Sequence, residues 1–184
     1  MKRIRLTYLV LTALFVAIGV LLPIAFHSIN MFGAIFLPMH IPVILCGLIC
    51  GPLLGVVAAI MTPLLSSVIT GMPVIYPVAV AMIFELATYA VVAGVMFRLL
   101  KKLNIILALY ISLVCAMLLG RGVLGVVSYI LYGVLGNGYT FSAFIASAFI
   151  TAWPGIIIQL VIIPWLYIFL KKAKLIKNYQ GGNQ

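Results

Sequence analysis

Long apolar runs separated by short polar breaks fill the chain. Four of them, from about Leu6 to Phe26, Tyr76 to Phe97, Asn104 to Tyr132 and Phe141 to Leu170, are each long enough to cross a bilayer as a tilted helix of roughly 20 residues. The stretch from Pro38 to Thr70 is too long for one comfortable crossing and slightly short for two. Gly51-Pro52 lies near its middle, the pairing expected where one helix ends and the next begins. Split there, the pattern predicts six helices over about 6–26, 38–50, 52–70, 76–97, 104–132 and 141–170.

The basic residues decide between one crossing and two. Ten of the eleven Lys and Arg lie in three clusters at segment ends: Lys2, Arg3 and Arg5; Arg98, Lys101 and Lys102; Lys171, Lys172, Lys174 and Lys177. A single crossing over 38–70 would put the second and third clusters on the face opposite the first. Two crossings gather all ten on one face, which the positive-inside rule makes cytoplasmic. The expected fold is therefore an all-α membrane protein, one integral domain over 1–184, with six transmembrane helices and both termini cytoplasmic. Its external connections, roughly His27 to Leu37, Gly71 to Ile75 and Gly133 to Thr140, are rich in Gly, Pro, Asn and Tyr, as an entrance or lid requires.

Composition sharpens this reading. Of 184 residues, 67% are hydrophobic and 7% charged, with a mean hydropathy of +1.40. A soluble domain carries roughly 25% charged residues, so most of this surface must meet lipid. The net charge of +10 would point to nucleic acid in a soluble protein; placed at helix ends, it reads as orientation signals and headgroup contacts instead. Basic residues followed by an apolar run also outline a secretory signal. The run is longer than such a signal needs and no small-x-small cleavage site follows, so it is read as the first span. The three cysteines, Cys46, Cys50 and Cys115, sit inside apolar runs, and an odd number leaves no complete disulfide framework.

Chemistry concentrates in a few polar positions. Glu85 is the only acidic residue; it falls in the fourth predicted helix, with Arg121 in the fifth. Measured from the basic ends of their helices, they lie about 20 Å and 25 Å up at ~1.5 Å per residue, at a depth where an unpaired charge costs of order 3 kcal/mol. Two readings stand side by side: an ion pair that staples two helices, or charges on the wall of an outward-facing pocket. Tyr89, Tyr129, Trp153 and Gln159 recur near this depth, with Asn30 and His40 before and on the second helix. Directed hydrogen-bond partners mixed with rings suit a small polar ligand, although Tyr and Trp at segment ends also serve as interface anchors. His40 between Pro38 and Pro42 also fits a simple helix start.

Enzyme chemistry finds little to work with. With no Asp, one Glu and two His, paired-carboxylate catalysis is excluded and a metal site built from several acidic or His ligands has no ligands to draw on. There is no Walker-type phosphate loop, so the chain cannot hydrolyse ATP by itself, and no cofactor is expected. Ala13 and Ala17 share a face of the first helix, as do Ala90 and Gly94 on the fourth. Small residues four apart let another helix approach closely.

These parts together resemble a known family. The basic N-terminus, the Ala13/Ala17 face, six short apolar helices, and the run Leu37-Pro38-Met39-His40-Ile41-Pro42 leading to Cys50-Gly51-Pro52-Leu53 and Gly55 resemble the substrate-binding S component of energy-coupling factor (ECF) vitamin transporters. Thr62-Pro63-Leu64-Leu65-Ser66-Ser67, Thr70-Gly71-Met72-Pro73, Glu85-Leu86-Ala87-Thr88-Tyr89 and Gly120-Arg121 extend the likeness over nearly the whole chain. The resemblance implies a multi-pass subunit in a prokaryotic plasma membrane that captures a B-type vitamin or precursor from outside. It makes Asn30, Tyr89, Arg121 and Tyr129 candidate contacts and Gly71, Met72 and Pro73 part of a gate. It makes Ala13 and Ala17 the surface that docks on a transmembrane coupling protein, with two cytoplasmic ATPases completing the complex. Pantothenate, a pyridoxine-like compound and a pyrimidine precursor all remain open as cargo. The alternatives are a stand-alone secondary transporter with Glu85 as proton carrier, and a purely structural membrane subunit.

Overall fold

A computed structural model describes residues 6–27, 37–134, 140, 145, 146 and 150–173. Every regular element among them is helical: α1 (Leu6–His27), α2 (His40–Ile49), α3 (Pro52–Thr70), α4 (Val80–Leu99), α5 (Ile105–Val134) and α6 (Trp153–Lys172). An irregular turn over Ile75–Ala79 precedes α4, with Tyr76 in extended conformation. The helix expected from 141 begins, as α6, at Trp153, with Pro154 in its first turn; most of 141–149 lies outside the described residues.

Five of these helices are long and apolar enough to cross a membrane. The second is not. At 10 residues, α2 is roughly 15 Å long, about half the hydrocarbon thickness, so five long helices and one short one stand where six crossings were expected. Nine of its ten residues are buried, because α1, α3, α4 and α6 all pack against it. A helix surrounded by protein needs neither the length nor the lipid-facing surface of a span.

Glycine makes that enclosure possible. A Cβ built on Gly47 of α2 would sit 2.5 Å from the Ala90 carbonyl oxygen, and one on Gly94 of α4 would sit 2.5 Å from that of Gly47. Backbones this close leave no room for side chains, which is how helices associate where lipid removes the hydrophobic drive. The small pair Ala90 and Gly94 is thus spent inside the molecule, and Gly55 of α3 completes the same crossing. Between α2 and α3 the chain turns at Gly51, whose φ of 102° lies in a region other residues rarely enter. Pro52 then opens α3, where its missing N–H costs nothing.

The end of α3 shapes the loop that follows. Gly71 closes the helix in left-handed conformation and donates its N–H to the Ser67 carbonyl. Ser66 Oγ and Thr70 Oγ1 both donate to the Met72 carbonyl, at 2.8 and 2.9 Å, and Ser67 Oγ donates to that of Pro73. Tyr76 reaches across to α5, donating its hydroxyl to the Leu131 carbonyl at 3.2 Å. The Gly71–Pro73 loop is therefore held by hydroxyls of the helix before it. Around the bundle, Val10 and Leu14 of α1, Leu118 of α5 and Val161 of α6 all point outward, as lipid-facing positions should.

Candidate functional site

The sole acid of the chain sits at the centre of a buried polar cluster. Glu85 Oε1 accepts from Arg121 Nη1 of α5 at 3.0 Å and from the Tyr89 hydroxyl, one turn along α4, at 2.9 Å. Its second oxygen lies 3.5 Å from His40 Nε2 at the start of α2. The His40 and Tyr89 rings meet at 5.6 Å between centroids. All four residues are 3% exposed or less. Three helices thus contribute donors to one carboxylate, and the carboxylate joins them.

Each position has a local cause. Tyr89 is four residues after Glu85, so both project from one face of α4. Its ring lies against Gly120 of α5, at a point where any side chain would collide with it. The next residue, Arg121, is then placed to reach the carboxylate. Carrying two ions out of water costs several kcal/mol for each, and their attraction offsets this only with good geometry and further hydrogen bonds; the Tyr89 hydroxyl and the His40 ring supply them.

Depth follows from the helical rise. Glu85 is fourteen residues from Leu99, the end of α4, or about 21 Å, and Arg121 is sixteen from Ile105, the start of α5, or about 24 Å. Both lie in the half of the bundle remote from Arg98, Lys101 and Lys102. Gln159 of α6 is also buried, and its Nε2 finds no acceptor within the described residues; the same holds for Arg121 Nε, and His40 Nδ1 has no hydrogen-bond partner there.

Other expected positions fall elsewhere. Tyr129 and Trp153 are 68% and 59% exposed and stand apart from the cluster, whereas Ser128 next to Tyr129 is buried. Asn30 lies outside the described residues. Ala13 and Ala17 are exposed and line, with Thr12 of α1 and Val57 and Met61 of α3, a groove of about 630 Å³ whose walls are almost wholly apolar. Met72 of the Gly71–Pro73 loop is exposed. Among the described residues no three His, Cys, Asp or Glu side chains form a group able to hold a metal ion.

Two features were hidden in the linear chain. Gly120 gave no sign that it admits the Tyr89 ring. Cys46 Sγ lies 3.6 Å from Thr12 Oγ1 and from the Leu54 carbonyl, tying α2 to α1 and α3 through a contact no motif announces.

The family model described as ECF transporter, substrate-specific component, matches residues 7–167. The chain belongs to that family. No curated protein and no solved structure matched it. As an ECF substrate-specific component, the protein is a multi-pass membrane subunit of a transporter, and not an enzyme. Membership also gives the buried cluster a setting: an ECF component works with a small-molecule substrate and with the other components of the ECF module.

Proposed function

We propose that this ECF component captures a small water-soluble vitamin or precursor of the B type from outside a prokaryotic cell, with the enclosed α2 serving as a short sixth pass and both termini in the cytoplasm. The observation that carries this reading is the polar centre around Glu85, buried in the half of the bundle away from the basic clusters. Polar groups at such depth are costly and mark substrate pathways. On this reading Glu85 and Arg121 brace the site, Tyr89, His40 and Gln159 line it, and Asn30, Tyr129 and Trp153 act near its mouth. Gly71, Met72 and Pro73 form a gate whose resting shape is set by Ser66, Ser67 and Thr70.

The motor lies elsewhere. Ala13 and Ala17, exposed beside an apolar groove, are the proposed contact with the transmembrane coupling protein, and two partner ATPases supply the energy. A stand-alone proton-coupled transporter is disfavoured by the engagement of Glu85 with Arg121 at 3.0 Å and with the Tyr89 hydroxyl at 2.9 Å, which makes the carboxylate a fixed brace between helices. The deciding experiment is thermal unfolding of the purified chain, without ATP, against a panel of water-soluble vitamins. One member is expected to raise the Tm by several degrees through binding linkage. Stabilisation by none of them overturns the capture reading.

A further inference from the structure

The hydrogen-bonding groups of the buried cluster do not balance. Glu85 is the only side-chain carboxylate in a chain of net charge +10, and Arg121, Tyr89 and His40 already surround it. Among the described residues, two N–H donors of this region have no acceptor, Arg121 Nε and Gln159 Nε2, each at a residue 3% exposed or less. Buried donors of this kind are costly unless an acceptor meets them.

The helical rise places Gln159 near the same depth. The Phe97 and Tyr167 rings touch edge to face at 5.1 Å, which sets α6 beside α4. Successive crossings alternate in direction, so α4 and α6 run in the same sense. Tyr89 and Gln159 each lie eight residues before that contact, about 12 Å at the helical rise. That spacing places Tyr89 and Gln159 at comparable depth.

Resting on the capture reading above, we infer that the site selects ligands rich in acceptors and free of net positive charge, a carboxylate or carbonyl group docking on Arg121 and Gln159, and rejects organic cations. A cation brought to this depth would meet a guanidinium and find the sole counter-charge already engaged. A carboxylate or carbonyl would meet donors that the protein leaves unmatched.

The test uses the full chain in lipid nanodiscs and matched probes: pantothenate with its alcohol pantothenol, pyridoxine with pyridoxamine, and thiamin. Calorimetry is expected to show an anionic or neutral probe bound at least about tenfold more tightly than either cation, thiamin or pyridoxamine. Tighter binding of thiamin or pyridoxamine than of the uncharged and anionic probes overturns the inference while leaving the capture reading intact. Binding by no probe removes both. Gln159→Leu is expected to fold, with ligand-free Tm equal to or above that of the parent because a buried unmatched amide is gone, and to bind the preferred probe about tenfold more weakly. Unchanged affinity in that variant also overturns the inference.

Discussion

Removing the charge of Glu85 while Arg121 stays in place strands a guanidinium in a site of 3% exposure. Glu85→Gln is therefore expected to cost about 3 kcal/mol or more of stability, and pairing it with Arg121→Met to recover most of the loss. Unfolding of the parent, the single variant and the double variant in one detergent checks this; a single variant as stable as the parent would show that the pair is no brace. Gly120→Ala forces a methyl into the Tyr89 ring and is expected to cost about 1–3 kcal/mol by overpacking, measured in the same way. The pairing of Glu85 with Arg121 was legible as one of two readings, because a lone acid and a lone base in apolar runs have few other partners. The approach of His40, forty-five residues before Glu85, was not, since nothing local encodes a contact between distant helices. Nor does helical spacing fix how a helix is rotated about its axis, which is why the outward turn of Tyr129 and Trp153 emerged only in three dimensions.

Among the elements, α2 and the loop after α3 show two distinct uses of glycine. At Gly47 the constraint is space: an added methyl meets the Ala90 backbone at 2.5 Å, and neither helix can yield without opening the crossing. At Gly71 nothing lies within 4 Å and the constraint is a φ of 73°. Gly47→Ala is accordingly expected to lose about 2–3 kcal/mol and Gly71→Ala only about 1 kcal/mol, an order that thermal unfolding of the two variants resolves. Equal losses would mean that the α2–α4 crossing relaxes freely. The break at Gly51-Pro52 could be read from the chain because turn chemistry is local. The central position of α2 could not, because apolar residues facing protein and apolar residues facing lipid look alike in sequence.

For the molecule as a whole, orientation and docking are the open quantities. With both termini cytoplasmic, an amine reagent that cannot cross membranes is expected to leave Lys171 and Lys172 untouched in intact cells and to modify them in inverted vesicles; labelling from outside inverts the proposed capture site. Ala13→Trp and Ala17→Trp should fill the groove between α1 and α3, abolish uptake with the complete transporter, and leave ligand affinity of the isolated chain unchanged. Uptake retained in both variants removes that face from the docking account. The enclosure of α2 bears, finally, on biogenesis. Gly47 leaves the ribosome forty-three residues ahead of Ala90, so the segment, apolar but too short to anchor itself across a bilayer, must wait until its partner is synthesised. The translocation machinery or the neighbouring α1 and α3 has to shelter it in the interval, and the protein acquires its centre only after much of its periphery has been made.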